Sequence, residues 1–371
     1  MQILVTDRAL IERWQKVRAR LAGADAAAIL LCGGADLEYL TGYAAMPLER
    51  ITAFIGLVAG EEPPVLVVPE LEEARVVQRP PVFSVSTWDD TADPVGVIAS
   101  RLPPEGRIVV SDNLWALHLL GLQRCSPDVE LVTTTESLGG LRSLKSPSER
   151  DDLVEVGSRA DQVVAQIQRG EVPLVGRTEA EIATDIGERL IAAGHDTVEF
   201  VIVASGPNSA SPHHHPGSRR VQPDEMVLFD FGGRFGGFCS DTTRCVYTGE
   251  VPADVRAAYD VLTEAQEAAV QAAVPGRPLA DVDLAARSVI RDAGYGDCFI
   301  HRTGHGIGTE VHEHPYVTEL NTEPVQVGHA FSIEPGIYVA GRWGMRLEDI
   351  VVVEGDGARR CNNTDHDLVE V

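Results

Sequence analysis

Apolar positions at Leu10, Trp14, Val17 and Leu21 recur every three or four residues, the spacing of one buried helical face. A continuous apolar run from Ala26 to Leu31 follows and reads as a strand. The runs ITAFIGLVAG, PVLVV and RIVVSD continue the alternation, with glycine and proline between them and the helical stretch NLWALHLLGL behind them. This pattern predicts an α/β domain over residues 1–142, close to the usual domain size of ~100–150 residues.

The pattern changes near Ser143. Ser146, Pro147 and Glu149 supply an N-cap, a proline at the first helical position and a capping-box acid. Leu153, Val156, Val163 and Ile167 give the helix behind them an apolar stripe, and Thr178 with Glu181 repeats the capping box ahead of Ile182, Ile186 and Leu190. Two further helices are predicted from Ala253 to Ala273 and from Leu279 to Ala293. Strand-like segments VEFVIVASG, MVLFDFGG, GFCSDTTRCVYTG, AFSIEP and RLEDIVVV lie between and after these helices. Residues 143–371 are therefore expected to form a second domain, with helices packed on a largely antiparallel, hairpin-built sheet.

Charge narrows the function. The 371 residues include 56 acidic and 31 basic ones, a formal net charge of -25. Such a field repels phosphate backbones and anionic lipid surfaces, which argues against nucleic-acid and membrane partners. No segment reaches the ~18 uninterrupted apolar residues of a membrane span, and MQILVTDRALIERWQKV mixes charges where a secretory leader would be apolar. Six cysteines without a C-x-x-C pair complete the expectation of a soluble cytoplasmic protein with reduced thiols.

Most of the carboxylates belong on a solvated surface. The exceptions are acids inside apolar runs. Asp230 interrupts VLFDFGG, and Asp241 sits in the returning strand, across a turn formed by Gly232, Gly233, Gly236 and Gly237. A hairpin would bring the two carboxylates together, where either a cation or an arginine such as Arg244 must offset their repulsion and desolvation. Glu334 in FSIEPG and Glu348 in RLEDIVVV repeat the anomaly, making four acids within strands. His305 lies in HRTGHGIG, where flanking glycines leave its imidazole uncrowded. Four carboxylates and one imidazole form an oxygen-rich set able to balance two divalent cations, manganese first, with cobalt, iron and zinc as alternatives.

The order Asp230, Asp241, His305, Glu334, Glu348, with separations of 11, 64, 29 and 14 residues, resembles the dinuclear site of the pita-bread metallopeptidases. The contexts FDFGG, SDTTR, GHGIG, EPGIY and MRLED carry the same likeness to this group of methionine aminopeptidase, aminopeptidase P and prolidase. The resemblance to prolidases and aminopeptidases P extends over nearly the whole chain, through LEYLTGY and LRSLKSPSE. It implies an α+β pita-bread catalytic domain at the C-terminal side, a smaller α/β N-terminal domain, and a homodimer in which that smaller domain packs against the partner subunit. By this resemblance Asp230 chelates one metal, His305 and Glu334 the other, and Asp241 and Glu348 bridge the pair. His213 in PHHHP and His312 in EVHEHP would face the substrate, and Glu334 would shuttle a proton. The implied substrate is a small peptide with an Xaa-Pro bond.

Elementary chemistry agrees on two points. A hydrolase needs hydrogen-bond donors at the developing oxyanion, and His213 and His312 can provide them. Arg346, two residues before Glu348 and on the same strand face, can donate to neighbouring carboxylates. His214, His215 and His314 are expected to be bystanders, since adjacent side chains diverge. The glycines from Gly232 to Gly237 lead into another strand and offer phosphate no helix N-terminus. Ser205 and Ser211 lack a nucleophile-elbow context. A prolidase-like Xaa-Pro dipeptidase is thus the leading expectation, with aminopeptidase P and a non-peptidase C-N hydrolase as rivals. Some resembling prolidases clamp the dipeptide's carboxylate with an arginine shortly after the HEHP-type segment. VTELNTEPVQ offers none, which leaves Arg342, His213 or a residue of a partner subunit to replace it.

Overall fold

A computed structural model describes residues 6–46 and 48–371. Residues 1–5, on which part of the argument against a secretory leader rests, lie outside them. The chain divides into two compact units that separate between Arg142 and Ser143.

The first unit is built on a mixed six-stranded sheet. Its strands are β1 (Ala26–Cys32), β2 (Ala53–Leu57), β3 (Val65–Pro69), β4 (Ser84–Trp88), β5 (Gly106–Val110) and β6 (Val129–Thr133), in the order β4-β3-β2-β1-β5-β6. The apolar run at β1 is unbroken because both faces of this strand are covered. Ile29 and Leu31 point to one core with Leu10, Trp14, Val17 and Leu21, while Ala28 and Leu30 point to a second with Ile98 and Leu122. Helices α1 (Asp7–Gly23) and α2 (Ala35–Thr41) cover the first face; α3 (Pro94–Ala99) and α4 (Ala116–Cys125) cover the second, and the short α5 (Thr134–Leu138) closes the unit.

The second unit begins with α6 (Pro147–Gln168) and α7 (Glu179–Ala192). Ser146 and Thr178 cap them through complete capping boxes with Glu149 and Glu181. Losing such a cap costs about 1 kcal/mol. The single sheet anticipated from the sequence is instead divided. One sheet contains β7 (Thr197–Ser205), β8 (Met226–Phe235), β9 (Phe238–Cys239), β10 (Thr242–Tyr247) and β18 (Val369–Glu370). The other runs β12-β11-β13-β16-β17, built from β11 (Gly304–Gly306), β12 (Glu313–Val317), β13 (Ala330–Ile333), β16 (Asp349–Glu354) and β17 (Gly357–Arg360). A hairpin of β14 (Gly336–Val339) and β15 (Trp343–Arg346) stands apart, and a lone antiparallel bridge between Thr243 and Glu348 joins the two large sheets.

Helix α6 packs on both sheets. Its second half, from Ala160 to Ile167, meets Phe229 and Phe231 of β8, while Leu153 and Val156 meet Ala330, Ile350 and Val352. Each phenylalanine contributes about 1.5–3 kcal/mol by leaving water. Helices α8 (Ala253–Ala272) and α9 (Leu279–Ile290) bury Tyr259, Leu262, Val282 and Ile290 in a separate core with Leu228, Phe331 and Val351. No helix among the described residues is long and apolar enough to cross a membrane.

Candidate metal centre and active site

Strand alternation places the first ligand candidate. Val227, Phe229 and Phe231 of β8 face the α6–α7 core, so Asp230 shares the opposite face with Met226 and Leu228. On β10 Thr243 stands opposite Asp230, and Asp241, two residues earlier, falls diagonally beside it. Asp241 is not within a strand: it occupies a break between β9 and β10. Glu334 follows the end of β13, where Pro335 cannot extend the ladder, and Glu348 sits on the isolated bridge between β15 and β16. Of the four acids expected inside strands, only Asp230 is.

The glycines also act differently from expectation. Gly236 and Gly237 alone form the turn, with φ of 64° and 86°. Gly232 and Gly233 belong to β8, where a Cβ on Gly232 would lie 2.1 Å from the Ser240 carbonyl oxygen. Beside His305, a Cβ on Gly304 would meet the Ser332 carbonyl oxygen at 1.8 Å. That glycine allows the close approach of the neighbouring strand.

Side-chain bonds then fix the acids and His305 around one cleft. The His305 amide donates to Ser332 Oγ at 2.9 Å, and that hydroxyl donates to Glu334 Oε1 at 3.0 Å. His305 Nδ1 lies 3.1 Å from the Gly306 carbonyl, an acceptor, so the proton belongs on Nδ1 and Nε2 keeps its lone pair. Nε2 faces Glu334 Oε1 at 3.3 Å and Asp241 Oδ2 at 3.6 Å. Thr243 Oγ1 donates to Glu348 Oε2 at 2.6 Å. Arg346 donates to Asp230 Oδ2 at 2.5 Å, to Thr243 Oγ1 at 3.1 Å and to the Tyr338 hydroxyl at 2.9 Å. Arg244, the alternative partner for the aspartates, binds elsewhere: it donates to Asp349 Oδ1 at 2.7 Å and to the Glu348 carbonyl oxygen at 2.6 Å.

One arginine does not balance four acids. Asp230 Oδ1, Asp241 Oδ1 and Glu348 Oε1 are buried without a hydrogen-bond partner among the described residues. Burial, then the Glu348 and Asp230 charges, push the Asp241 carboxyl well up; burial followed by Glu334 and Asp230 does the same to Glu348. Burial also raises Glu334, against the pull of Arg346, to about 7. His305 is driven down to about 3, first by burial and then by His312, so its imidazole is neutral at physiological pH. Ligand atoms of Asp241, His305 and Glu348 all lie within 4.8 Å of one another. Unpartnered carboxylate oxygens around a neutral imidazole are a donor set that divalent cations fit, with Asp230 and Glu334 at its margin.

The cleft above this set has a volume of about 1380 Å³. His213 and His312 line it and are exposed, with the His312 ring 3.9 Å from that of His305. His214 and His215 border it too, but His214 Nε2 is turned to Glu179 Oε2 at 2.8 Å. His314 lies against Tyr316 and Arg342 pairs with Asp254 at 3.1 Å; neither lines the cleft.

Residues 151–355 match metallopeptidase family M24. The chain belongs to this family. Residues 13–144 match the creatinase/prolidase N-terminal domain, so this M24 peptidase joins a pita-bread catalytic domain to that module. It is 43% identical over 358 residues to a probable dipeptidase PepE of Mycobacterium bovis, covering 95% of this chain and 94% of the relative. An Xaa-Pro dipeptidase of Lactobacillus helveticus is 37% identical, with 90% and 91% covered. The crystal structure of dipeptidase PepE from Mycobacterium ulcerans superposes with a TM-score of 0.92 at 40% identity, covering 99% of each chain.

Sequence reasoning passed over several residues of the peptidase's cleft. His301 accepts from Tyr338 at 2.9 Å, and the same hydroxyl receives Arg346, which continues the Asp230 network to the cleft wall. Burial lowers His301 to about 4. Arg302 lines the cleft with its guanidinium 4.2 Å from the Tyr316 ring centre. Both precede His305 in HRTGHGIG, and a cation three residues from a candidate ligand was the signal available.

Proposed function

We propose that this M24 peptidase hydrolyses the Xaa-Pro bond of small peptides, chiefly as a dipeptidase. The observation that carries the reading is the buried cluster of Asp241, His305 and Glu348, whose ligand atoms lie within 4.8 Å of one another in an open cleft, with carboxylate oxygens that find no hydrogen-bond partner among the described residues. Asp230, Asp241, His305, Glu334 and Glu348 would hold two divalent cations, with Asp241 and Glu348 shared. Bound there, the ions supply water activation and polarisation of the scissile carbonyl. An oxygen-dominated ligand set favours manganese over cobalt, iron or zinc.

The chain's own residues do the rest. Arg346 holds the Asp230 carboxylate in place, and Ser332 orients Glu334, the group we assign to carry a proton toward the leaving amine. His213 and His312, exposed on the cleft wall, donate to the oxyanion and to the peptide. Proline has no amide hydrogen, so the scissile nitrogen requires no acceptor from the site. Arg302 can replace the clamp missing from VTELNTEPVQ, since its guanidinium answers a terminal carboxylate.

The cleft also supports a second reading, because about 1380 Å³ exceeds the ~300–1,000 Å³ of ordinary small-ligand pockets and has room for longer Xaa-Pro peptides. The test is kcat/KM for Ala-Pro, Ala-Pro-Ala and Ala-Pro amide, in wild type and Arg302→Met. The dipeptidase reading expects Ala-Pro to lead and Arg302→Met to erase that lead. Equal or faster cleavage of tripeptide and amide by wild type would transfer the assignment to aminopeptidase P action, and no cleavage of any of them to another C-N bond. We assign the enzyme to the cytoplasm, in keeping with six unpaired cysteines, and to a homodimer, in keeping with its prolidase-type N-terminal domain.

A further inference from the structure

Glu179 is the first residue of α7, directly after its cap Thr178, and its side chain has no solvent exposure. An ionised carboxylate in that position needs strong hydrogen bonding. Five donor groups provide it. The Ser205 amide and hydroxyl lie 2.9 and 2.8 Å from Oε1, and Asn208 Nδ2 lies 3.0 Å from the same oxygen. His214 Nε2 is 2.8 Å and the Gly217 amide 3.3 Å from Oε2. Asn208 Nδ2 and His214 Nε2 are 3.3 Å apart, but the ionised carboxylate that both face can only accept, so the imidazole proton is on Nε2 and both nitrogens donate to Glu179. Burial alone would raise this carboxyl; the bonds from His214 and Ser205 hold it below its ordinary value. The dipole at the start of α7 favours the anion further.

All five donors come from residues 205–217, the segment that carries His213 along the cleft. Arg219 donates to the Ser205 hydroxyl at 2.6 Å and is otherwise engaged with both oxygens of Glu225 at 2.7 and 2.6 Å, so its guanidinium ties the network to Glu225 rather than to the Glu179 carboxylate. On the opposite side Arg346 donates to the Pro212 carbonyl oxygen at 3.3 Å. His213 therefore projects between two anchored neighbours: Pro212, tied to the arginine that holds Asp230, and His214, tied to Glu179.

We propose that Glu179 is a positioning residue for hydrolysis: its hydrogen bonds to residues 205–217 fix the placement of His213 relative to the metal ligands. The proposal rests on the reading of His213 as a substrate-facing donor. It predicts an effect on transition-state binding without an effect on metal binding, because Glu179 touches no ligand residue.

The experiment is a double-mutant cycle of Glu179→Gln and His213→Ala, reading kcat/KM on Ala-Pro, metal content by elemental analysis and folding by circular dichroism. Glutamine keeps the size but presents an NH2 group where an acceptor oxygen stood. Glu179→Gln should keep wild-type metal content while kcat/KM falls about 10²-fold, the scale of a misplaced catalytic contact. The double variant should be no slower than His213→Ala alone, within about twofold, since a histidine already lost cannot be misplaced. Costs that multiply, or metal lost in step with activity, would overturn the role of Glu179 and leave that of His213 standing. An unchanged rate for His213→Ala would overturn both. If Glu179→Gln does not fold, His214→Ala replaces it in the cycle, removing one anchor while leaving the buried carboxylate its other donors. Non-additivity with His213→Ala is again expected, and multiplied costs again refute the proposal.

Discussion

Replacing Arg346 by methionine removes the cation hydrogen-bonded to Asp230, the one such contact to a candidate ligand carboxylate among the described residues. The side chain is 2% exposed and donates to Asp230, Thr243, Tyr338 and the Pro212 carbonyl, so no water can take over all four bonds. Removing one member of a buried ion pair costs roughly 3–5 kcal/mol. For a unit the size of Ser143–Val371, at about 2–4 °C per kcal/mol, Tm of the metal-free enzyme should fall by roughly 6–20 °C. On the proposed assignment, saturating manganese would supply positive charge to the same carboxylates, so the loss should be smaller there. The assay is thermal unfolding by circular dichroism in EDTA and in excess Mn(II), wild type against Arg346→Met. A metal-free shift under about 2 °C would show that the arginine does not stabilise the acids, and an equal loss in both conditions would show that it does so independently of the metal sites.

Two further outcomes follow from the centre. Asp241→Ala removes a proposed shared ligand whose Oδ1 has no protein partner, so bound metal and hydrolysis should both collapse while the circular dichroism spectrum persists; wild-type metal content would sink the dinuclear assignment. Glu334 titrates near 7 when folded against 4.5 when unfolded, so the metal-free folded state holds a proton that the unfolded chain has released between those values. Stability of wild type in EDTA should therefore decline relative to Glu334→Gln as pH rises from about 4.5 to about 7, as urea midpoints would report, and parallel midpoints across that window would refute it.

Local signals carried most of the fold. The stripe of Leu10, Trp14, Val17 and Leu21 is α1, and the capping boxes at Ser146 and Thr178 mark the starts of α6 and α7. What the sequence did not disclose was the interruption of strands: a polar residue in an apolar run looks the same whether the ladder continues through it, as at Asp230, or stops, as at Glu334 and Glu348. The ligand candidates stood out because acids in apolar runs are costly. Their partners did not. Ser332, Thr243 and Tyr338 are unremarkable in sequence and acquire meaning only through register, when strands distant in the chain lie side by side. Glu179 was hidden for a related reason, since an acid in the first turn of a helix is ordinary and its five donors come from a loop more than twenty residues away.

Helix α6 has a mechanical consequence. With Leu153 and Val156 packed on one sheet and Ala160 to Ile167 on the other, it spans the line along which those sheets would otherwise part, like a splint across a joint. Spreading the sheets would strip both ends of this helix from their cores at once, at several kcal/mol for even a few of the buried side chains. Opening along that seam is thus a poor route for peptide to enter or product to leave. Traffic would then pass through the mouth of the cleft, past His213, Arg302 and His312, so the side chains proposed to hold the peptide would also stand on its path.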